Sequence, residues 1–144
     1  MIVSRDGRFH TRFAPLLREL GYSPLAASRL PDYPDLVPCA AHLIDFDSLG
    51  ETEAACNALL ALRERVPALR VILVSAGFAR HDFSCARLPI GDVSLRDPAG
   101  LQALAEALQV SHENNGAWQE RLAELEATRP EAVPVEHRRT VRNV

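Results

Sequence analysis

Apolar residues over the first 110 positions follow two alternating patterns. Short apolar runs are typical of strands, and the run at 70–75 is apolar enough to predict a strand buried on both faces, as in a parallel sheet. Between these runs, apolar residues recur every three or four positions, which predicts helices packed against the sheet. The predicted strands lie at 1–3, 22–28, 40–46, 70–75 and 92–95, and the predicted helices at 9–20, 51–66, 78–88 and 97–108.

This alternation predicts an α/β fold with a doubly wound, five-stranded parallel sheet and helices on both faces. Two prolines set the expected helix boundaries. Pro15 lies inside the first helical pattern, so we expect the regular helix to begin near Ala14 or to have a distorted first turn. Asp97 and Pro98 predict a helix start, with Asp97 as the N-cap and Pro98 as the first helical residue.

Two stretches interrupt the pattern. Three prolines at 31, 34 and 38 exclude a regular helix between the second and third strands, so the second helix of such a fold is expected to be short or missing. The sequence Asn-Asn-Gly at 114–116 predicts a break, followed by an extra amphipathic helix at 117–127 with Trp118, Leu122 and Leu125 on one face. We therefore divide the chain into a domain at 1–111, an additional helix at 112–128 and a linker or flexible tail at 129–144.

Composition matters mainly through what it excludes. All 16 basic residues among the 144 are Arg, so chemistry that requires a lysine, such as Schiff base formation, is excluded. The net charge of −3 argues against a broad nucleic-acid surface. The longest apolar run is far shorter than the ~20 residues of a membrane span, and the first residues do not resemble a signal peptide. A chain of this length needs no disulfide, so its three cysteines favour a reducing compartment, and we expect a cytoplasmic protein.

Residues 1 to about 109 resemble the receiver domain of bacterial response regulators. Leu43-Ile44-Asp45 is similar to the family's third strand, which delivers the phospho-accepting Asp, and 71–76 is similar to the fourth strand, which ends in the switch Ser or Thr. The segment LLRELGY at 16–22 matches the end of the family's first helix. The resemblance implies a flavodoxin-like strand order of 2-1-3-4-5, with Asp45 in the phospho-acceptor position and Ser75 in the switch position.

The chain departs from this family where the chemistry needs particular residues. The family holds Mg²⁺ with two acidic residues after the first strand, but this sequence has Ser4 and Arg5 there, with Asp6 one position later. Arg96 stands at the position of the family's lysine, which contacts the phosphoryl group. Because Mg²⁺ binds through carboxylate oxygens, a cation at Arg5 opposes metal binding. The resemblance is therefore to a degenerate receiver.

Asp6 and Asp47 remain beside Asp45 as a degenerate acidic pocket. We expect Arg5 to pair with Asp45 and lock the site, so no cofactor is expected. Ser75 either bonds a phosphoryl oxygen or caps the loop at 76–77, and we expect the cap. Cys-x-x-His at 39–42 and His-x-x-x-Cys at 81–85 do not have the spacing of a zinc site, so no metal is expected.

We therefore expect a pseudo-receiver, a non-catalytic regulatory domain that acts through protein contacts without phosphorylation, in transcription or another output of a bacterial signalling pathway. No nucleophile, acid and base assemble from these motifs, so no enzyme is expected. The expected partners are another protein, its own output domain or a second copy in a homodimer, through 78–108 and the helix that carries Trp118, Leu122 and Leu125. Contact with a membrane, or directly with nucleic acid, is not expected.

Two alternatives remain open. One is a functional phospho-acceptor that uses Asp45, Ser75 and Mg²⁺. The other is a sensor of a small anionic ligand, bound by Arg5, Arg80 or Arg96 at the carboxyl ends of the strands.

Overall fold

The computed structural model describes residues 1–31 and 38–130, and this part of the chain forms a five-stranded, all-parallel sheet of order β2-β1-β3-β4-β5. The predicted α/β fold and strand order are confirmed. The strands are β1 (Ile2–Val3), β2 (Ala26–Ala27), β3 (His42–Asp45), β4 (Val71–Ser75) and β5 (Val93–Arg96). The α-helices are α1 (Gly7–Glu19), α2 (Thr52–Arg65) and α3 (Leu101–Ala127), with short 3₁₀ helices at Phe46–Leu49 and Cys85–Arg87.

Alternation of side chains along the strands produces two cores. On one face, Leu43 and Ile72 pack with α1 and α3. On the other face, Ile44 and Leu73 pack with α2. The uninterrupted apolar run of β4 is therefore explained by burial on both faces, as predicted.

Helix α1 begins earlier than predicted and runs through Pro15. Asp6 is its N-cap, since its carboxylate accepts from the backbone N–H of Arg8 at 2.9 Å. Phe9 and Phe13 are buried, with ring centroids 4.6 Å apart. Burial of two aromatic rings, at about 1.5–3 kcal/mol each, offsets the ~3 kcal/mol that an internal proline costs a helix.

The predicted helix at 78–88 is wrong. Asp82 instead forms an antiparallel bridge with Ser94 of β5, with backbone N–H···O distances of 2.7 and 2.9 Å. The backbone groups of Asp82 are therefore used to cover the outer edge of the sheet rather than to continue a helix.

Helix α3 corrects three further predictions. It begins at Leu101 with Gly100 as N-cap, so Asp97 and Pro98, joined by a cis peptide bond, lie before it. It also continues through 114–116 without a break. The boundary predicted at 111–112 thus falls inside one helix of 27 residues, about 40 Å long at 1.5 Å per residue.

The side chains of Asn114 and Asn115 explain why this sequence does not break the helix. Asn114 Nδ2 donates to the carbonyl oxygens of Asp92 (2.7 Å) and Phe83 (2.9 Å), and Asn115 Nδ2 donates to that of Leu69 at 3.1 Å. These amides bond to neighbouring loops and leave the helical backbone bonds in place.

Trp118 therefore packs on its own domain. It is 2% exposed, and its indole N–H donates to the carbonyl oxygen of Arg63 at 3.3 Å. The sequence left open whether this helix packs on its own domain or on a partner; Trp118 packs on its own domain, and a partner contact of this helix stays a prediction. Leu122 is half-buried, and Leu125 is exposed.

Within residues 1–31 and 38–130, no helix combines the length and the apolar character that crossing a membrane requires. The tail predicted at 129–144 lies outside the described residues except for its first two positions, and so does Pro34 of the proline-rich segment.

Candidate functional site

A hollow of about 410 Å³ lies at the carboxyl edge of the sheet, lined by residues from α1 and its N-cap, from the end of β3 and the turn after it, and from the segment after β5. In a doubly wound sheet this edge, where the strand order reverses, is the usual place for a ligand. Its lining combines four carboxylates with two guanidinium groups and one ring: Asp6, Asp45, Asp47, Asp97, Arg8, Arg12 and Phe9.

Asp45, the last residue of β3, is held by Ser4 rather than by Arg5. Ser4 Oγ lies 2.7 Å from Asp45 Oδ2 and 2.9 Å from the backbone nitrogen of Asp6. A hydroxyl has one proton, so Ser4 donates to the carboxylate and accepts from the N–H. The loop after β1 is thereby fixed to the end of β3.

The expected pair of Arg5 with Asp45 is wrong. Arg5 is exposed and forms no ion pair with the residues that the structure describes. Its backbone N–H donates to Ser48 Oγ at 3.2 Å, and the Ser48 hydroxyl donates to the carbonyl oxygen of Asp45 at 3.0 Å. The hydroxyl groups of Ser4 and Ser48, rather than a salt bridge, therefore connect the loop after β1 to the end of β3.

Asp47 and Ser75 join the loops after β3 and β4. The Ser75 hydroxyl donates to Asp47 Oδ1, and the Ala76 backbone N–H donates to Asp47 Oδ2 at 2.8 Å. Ser75 Oγ also accepts from the N–H of Gly77 at 3.0 Å. The hydroxyl in the switch position therefore caps the loop at 76–77, as expected, and in addition holds a carboxylate.

The three aspartates of the degenerate pocket thus each have a separate protein donor. Asp6 caps α1, Asp45 accepts from Ser4, and Asp47 accepts from Ser75 and the following loop. Across the described ranges, no three His, Cys, Asp or Glu side chains are grouped as a metal ion would require. This includes the Cys and His residues at 39–42 and 81–85.

The cations at the hollow come from α1, which sequence reasoning missed. Arg12 pairs with Asp97 through two N···O contacts of 2.8 and 3.0 Å, and its guanidinium carbon lies 5.7 and 5.2 Å from the ring centres of Phe9 and Phe13. The available signal was the spacing of Arg8 and Arg12, four residues apart on one helix face.

Arg96, at the position of the family lysine, is directed elsewhere. Its guanidinium donates to the carbonyl oxygen of Ala79 at 2.9 Å, and its backbone N–H donates to His81 Nδ1 at 3.0 Å. Arg96 is not among the residues that line the hollow. Its side chain instead stabilises the loop after β4.

A second polar cluster, which the sequence analysis did not find, lies at the amino ends of β4 and β5. Arg63 and Asp92 are fully buried and form a two-pronged ion pair with N···O distances of 2.7 and 2.9 Å. Arg63 also donates to the carbonyl oxygens of Leu69 and Leu88 and lies under the ring of Trp118, 5.2 Å from its centre. This cluster attaches the distal half of α3 to the domain.

The strand order and the covered faces define a flavodoxin-like α/β domain. No known protein family, curated protein or solved structure matches this chain.

Proposed function

We propose that this chain is a pseudo-receiver, a regulatory domain of a signalling protein that acts through protein contacts without accepting phosphate. The observation that carries the proposal is the hydrogen bonding of Asp45 and Asp47. Asp45 is in the position that the resemblance assigns to the phospho-acceptor, Asp47 follows it in the degenerate acidic pocket, and both are engaged by serine hydroxyls of neighbouring segments. The proposal extends the resemblance of the sequence to receiver domains.

Phosphoryl transfer to Asp45 would require Mg²⁺ and positive charge around three phosphoryl oxygens. A metal ion would have to share the carboxylates of Asp45 and Asp47 with their present donors, and each hydrogen bond to a charged group contributes about 1.5–3 kcal/mol. The Ser75 hydroxyl already donates its one proton to Asp47. Arg96 is bonded to Ala79 instead of facing the hollow. These three features, the engaged carboxylates, the occupied Ser75 hydroxyl and the orientation of Arg96, support a domain that does not accept phosphate.

The proposed partners are another protein, an attached output domain or a second copy of this chain. Support comes from the last turns of α3, where Leu125 is one of the large apolar residues exposed in the described part of the chain. We also propose a cytoplasmic location, with which the free thiols of Cys39, Cys56 and Cys85 agree.

A sensor of a small anion is less well supported. Arg8 and Arg12 line the hollow, but so do four aspartates, and Arg12 is already paired with Asp97. The excess of negative charge opposes an anionic ligand.

The test measures phosphate acceptance directly. The protein is incubated with acetyl phosphate and millimolar Mg²⁺ and then analysed by intact-mass spectrometry, and Mg²⁺ with beryllofluoride is titrated against the ¹⁵N-labelled protein. We expect no gain in mass and no saturable shift of the Asp45 amide signal. A gain in mass that disappears in Asp45→Asn would overturn the proposal and favour a functional phospho-acceptor.

The double variant Ser4→Asp with Arg5→Asp is the matched control, since it restores acidic residues at the two family positions. It removes the donor to Asp45, places one carboxylate at position 4, next to Asp45, and places another at position 5 of the same loop. We expect it to bind Mg²⁺ at least tenfold more tightly than the wild-type protein. Equal Mg²⁺ affinities would show that Ser4 and Arg5 do not set metal binding.

A further inference from the structure

An apolar cavity of about 230 Å³ opens at the edge of the sheet opposite the acidic hollow. Its inner wall consists of buried core residues of α1, α3 and the sheet: Leu17, Leu43, Ile72, Leu104 and Leu108. Its mouth lies between 22–25, the segment before β2, and 38–41, the segment before β3. The cavity therefore reaches from the surface into the main hydrophobic core.

Two features of the mouth indicate that it meets an apolar group. In the described part of the chain, three large apolar side chains are exposed, and two of them, Tyr22 (37%) and Leu25 (47%), line this cavity. Of the described residues that line it, none has a charged side chain, and the polar side-chain groups are limited to the hydroxyls of Tyr22 and Ser23 and the thiol of Cys39. An apolar pocket with a few polar groups is typical of a small-molecule site.

We propose that this cavity binds a compact, uncharged, apolar molecule of one or two rings with at most one or two hydrogen-bonding groups. The size follows from the volume: an apolar cavity of about 150 Å³ holds benzene, and this one is larger by about half. The charge follows from the lining: a cation placed there would lose its hydration without gaining a partner, and the one charged group at the lining, the Met1 ammonium, already donates to the carbonyl oxygen of Ala41 at 2.9 Å. The inference does not rest on the proposed function, since the two sites lie at opposite edges of the sheet.

Indole is a suitable probe, because it is uncharged, has two fused rings and carries one N–H donor. It is titrated into the ¹⁵N-labelled full chain and followed by NMR. We expect saturable shifts at the amides of Leu17, Leu43, Leu104 and Leu108, with a dissociation constant of about 1 mM or lower. No saturable shift up to 10 mM, or shifts confined to Tyr22 and Leu25, would overturn the proposal, since the second result would mean surface adsorption only.

The cysteines provide a second readout in the unmodified protein. Cys39 lines the cavity and is partly buried, whereas Cys85 is exposed and lies outside it. Alkylation of Cys39 by N-ethylmaleimide should slow about tenfold when indole is present at ten times its dissociation constant. The rate at Cys85 should not change. Equal rates at Cys39 with and without indole would contradict binding at this site.

A cavity-filling variant separates binding from folding. Ala41 is buried and lines the cavity, so Ala41→Leu should place its added atoms in the empty space and abolish indole binding. Ala123→Leu, the same change at an exposed position of α3, is the matched control and should bind indole like the wild-type protein. Undiminished binding by folded Ala41→Leu would show that indole occupies another place. If Ala41→Leu does not fold, the protection of Cys39 still decides the question.

Discussion

Acid should destabilise this protein through one buried histidine, His42, at the start of β3. Its side chain is 1% exposed, and neither ring nitrogen has a hydrogen-bond partner among the described residues. Burial lowers the pKa of His42 from its ordinary value of 6.5 to about 4; the positive N-terminal ammonium group contributes in the same direction, and a backbone group of Arg70 partly offsets both. Between these two pKa values, the His42 imidazole is therefore neutral in the folded protein but protonated in the unfolded chain.

The sign and size of the effect follow from this difference in pKa. Between pH 6.5 and 4 the unfolded state binds more protons, so the free energy of unfolding falls as the pH falls, and the contribution is fully present above pH 6.5. A shift of this size corresponds to a total of about 3 kcal/mol, of which about 2 kcal/mol is lost by pH 5.

The assay is urea denaturation followed by circular dichroism between pH 4.5 and 7.5. His42→Leu removes the titrating group, so the difference in unfolding free energy between wild type and variant isolates its contribution. We expect His42→Leu to lose about 2 kcal/mol less than the wild-type protein between pH 7 and pH 5. His112→Gln, which changes an exposed histidine, should follow the wild-type curve. Parallel curves for the wild-type protein and His42→Leu would refute the reasoning.

Three further changes test the packing, each by urea denaturation at pH 7. Asp92→Ala leaves the fully buried Arg63 without its ion-pair partner and should cost 3–5 kcal/mol, about the usual effect of breaking such a pair; a loss below about 1 kcal/mol would contradict this account of the cluster. Gly91→Ala places a Cβ 2.8 Å from Leu73 Cγ, so it should cost about 1–3 kcal/mol, and an unchanged midpoint would show that Leu73 moves freely. Pro15→Ala should stabilise the protein by about 1–2 kcal/mol, because it adds an N–H donor at an exposed position inside α1; a destabilised variant would mean that the proline ring contributes packing.

The sheet could be predicted from the sequence because its signals are local. The run at 70–75 has no polar residue between its ends, and α2 has an apolar face that includes Leu59 and Leu62. Such patterns depend only on residues within the same element. The strand order required the resemblance as well, since local periodicity does not determine which strands are neighbours.

The errors share a physical cause, which is that tertiary contacts outweighed local preferences. The local sequence at 114–116 favours a break, but the side chains of Asn114 and Asn115 find carbonyl oxygens on loops more than twenty residues away. The segment at 78–88 has only a weak helical pattern of mixed polarity, and the free edge of β5 offers the backbone of Asp82 two hydrogen bonds. Neither partner is visible in the local pattern.

The acidic site was predicted in its place but not in its contacts. Sequence reasoning brought Asp6, Asp45 and Asp47 to one edge, and all three line the same hollow. The opposite charges of Arg5 and Asp45 predicted that these two side chains would pair. In the structure the hydroxyl of Ser4 is the hydrogen-bond partner of Asp45 instead. A second hydrogen bond, accepted from the backbone N–H of Asp6, holds this hydroxyl in position.

Under the proposed function, the Ser4 partner of Asp45 indicates which substitutions would be needed for the chemistry of a receiver domain. A carboxylate at position 5 alone would leave Ser4 donating to Asp45, and position 5 does not line the hollow. Acidic residues at both positions would remove the Ser4 donor from that carboxylate, but a phosphoryl group would still not meet Arg96, which donates to Ala79, and Arg12 is already paired with Asp97. If the proposed function holds, we therefore expect metal binding and phosphate acceptance to be separable. Metal binding should depend on the loop after β1, and phosphate acceptance should also depend on Arg96 at the end of β5, so that phosphate acceptance should require changes at both places.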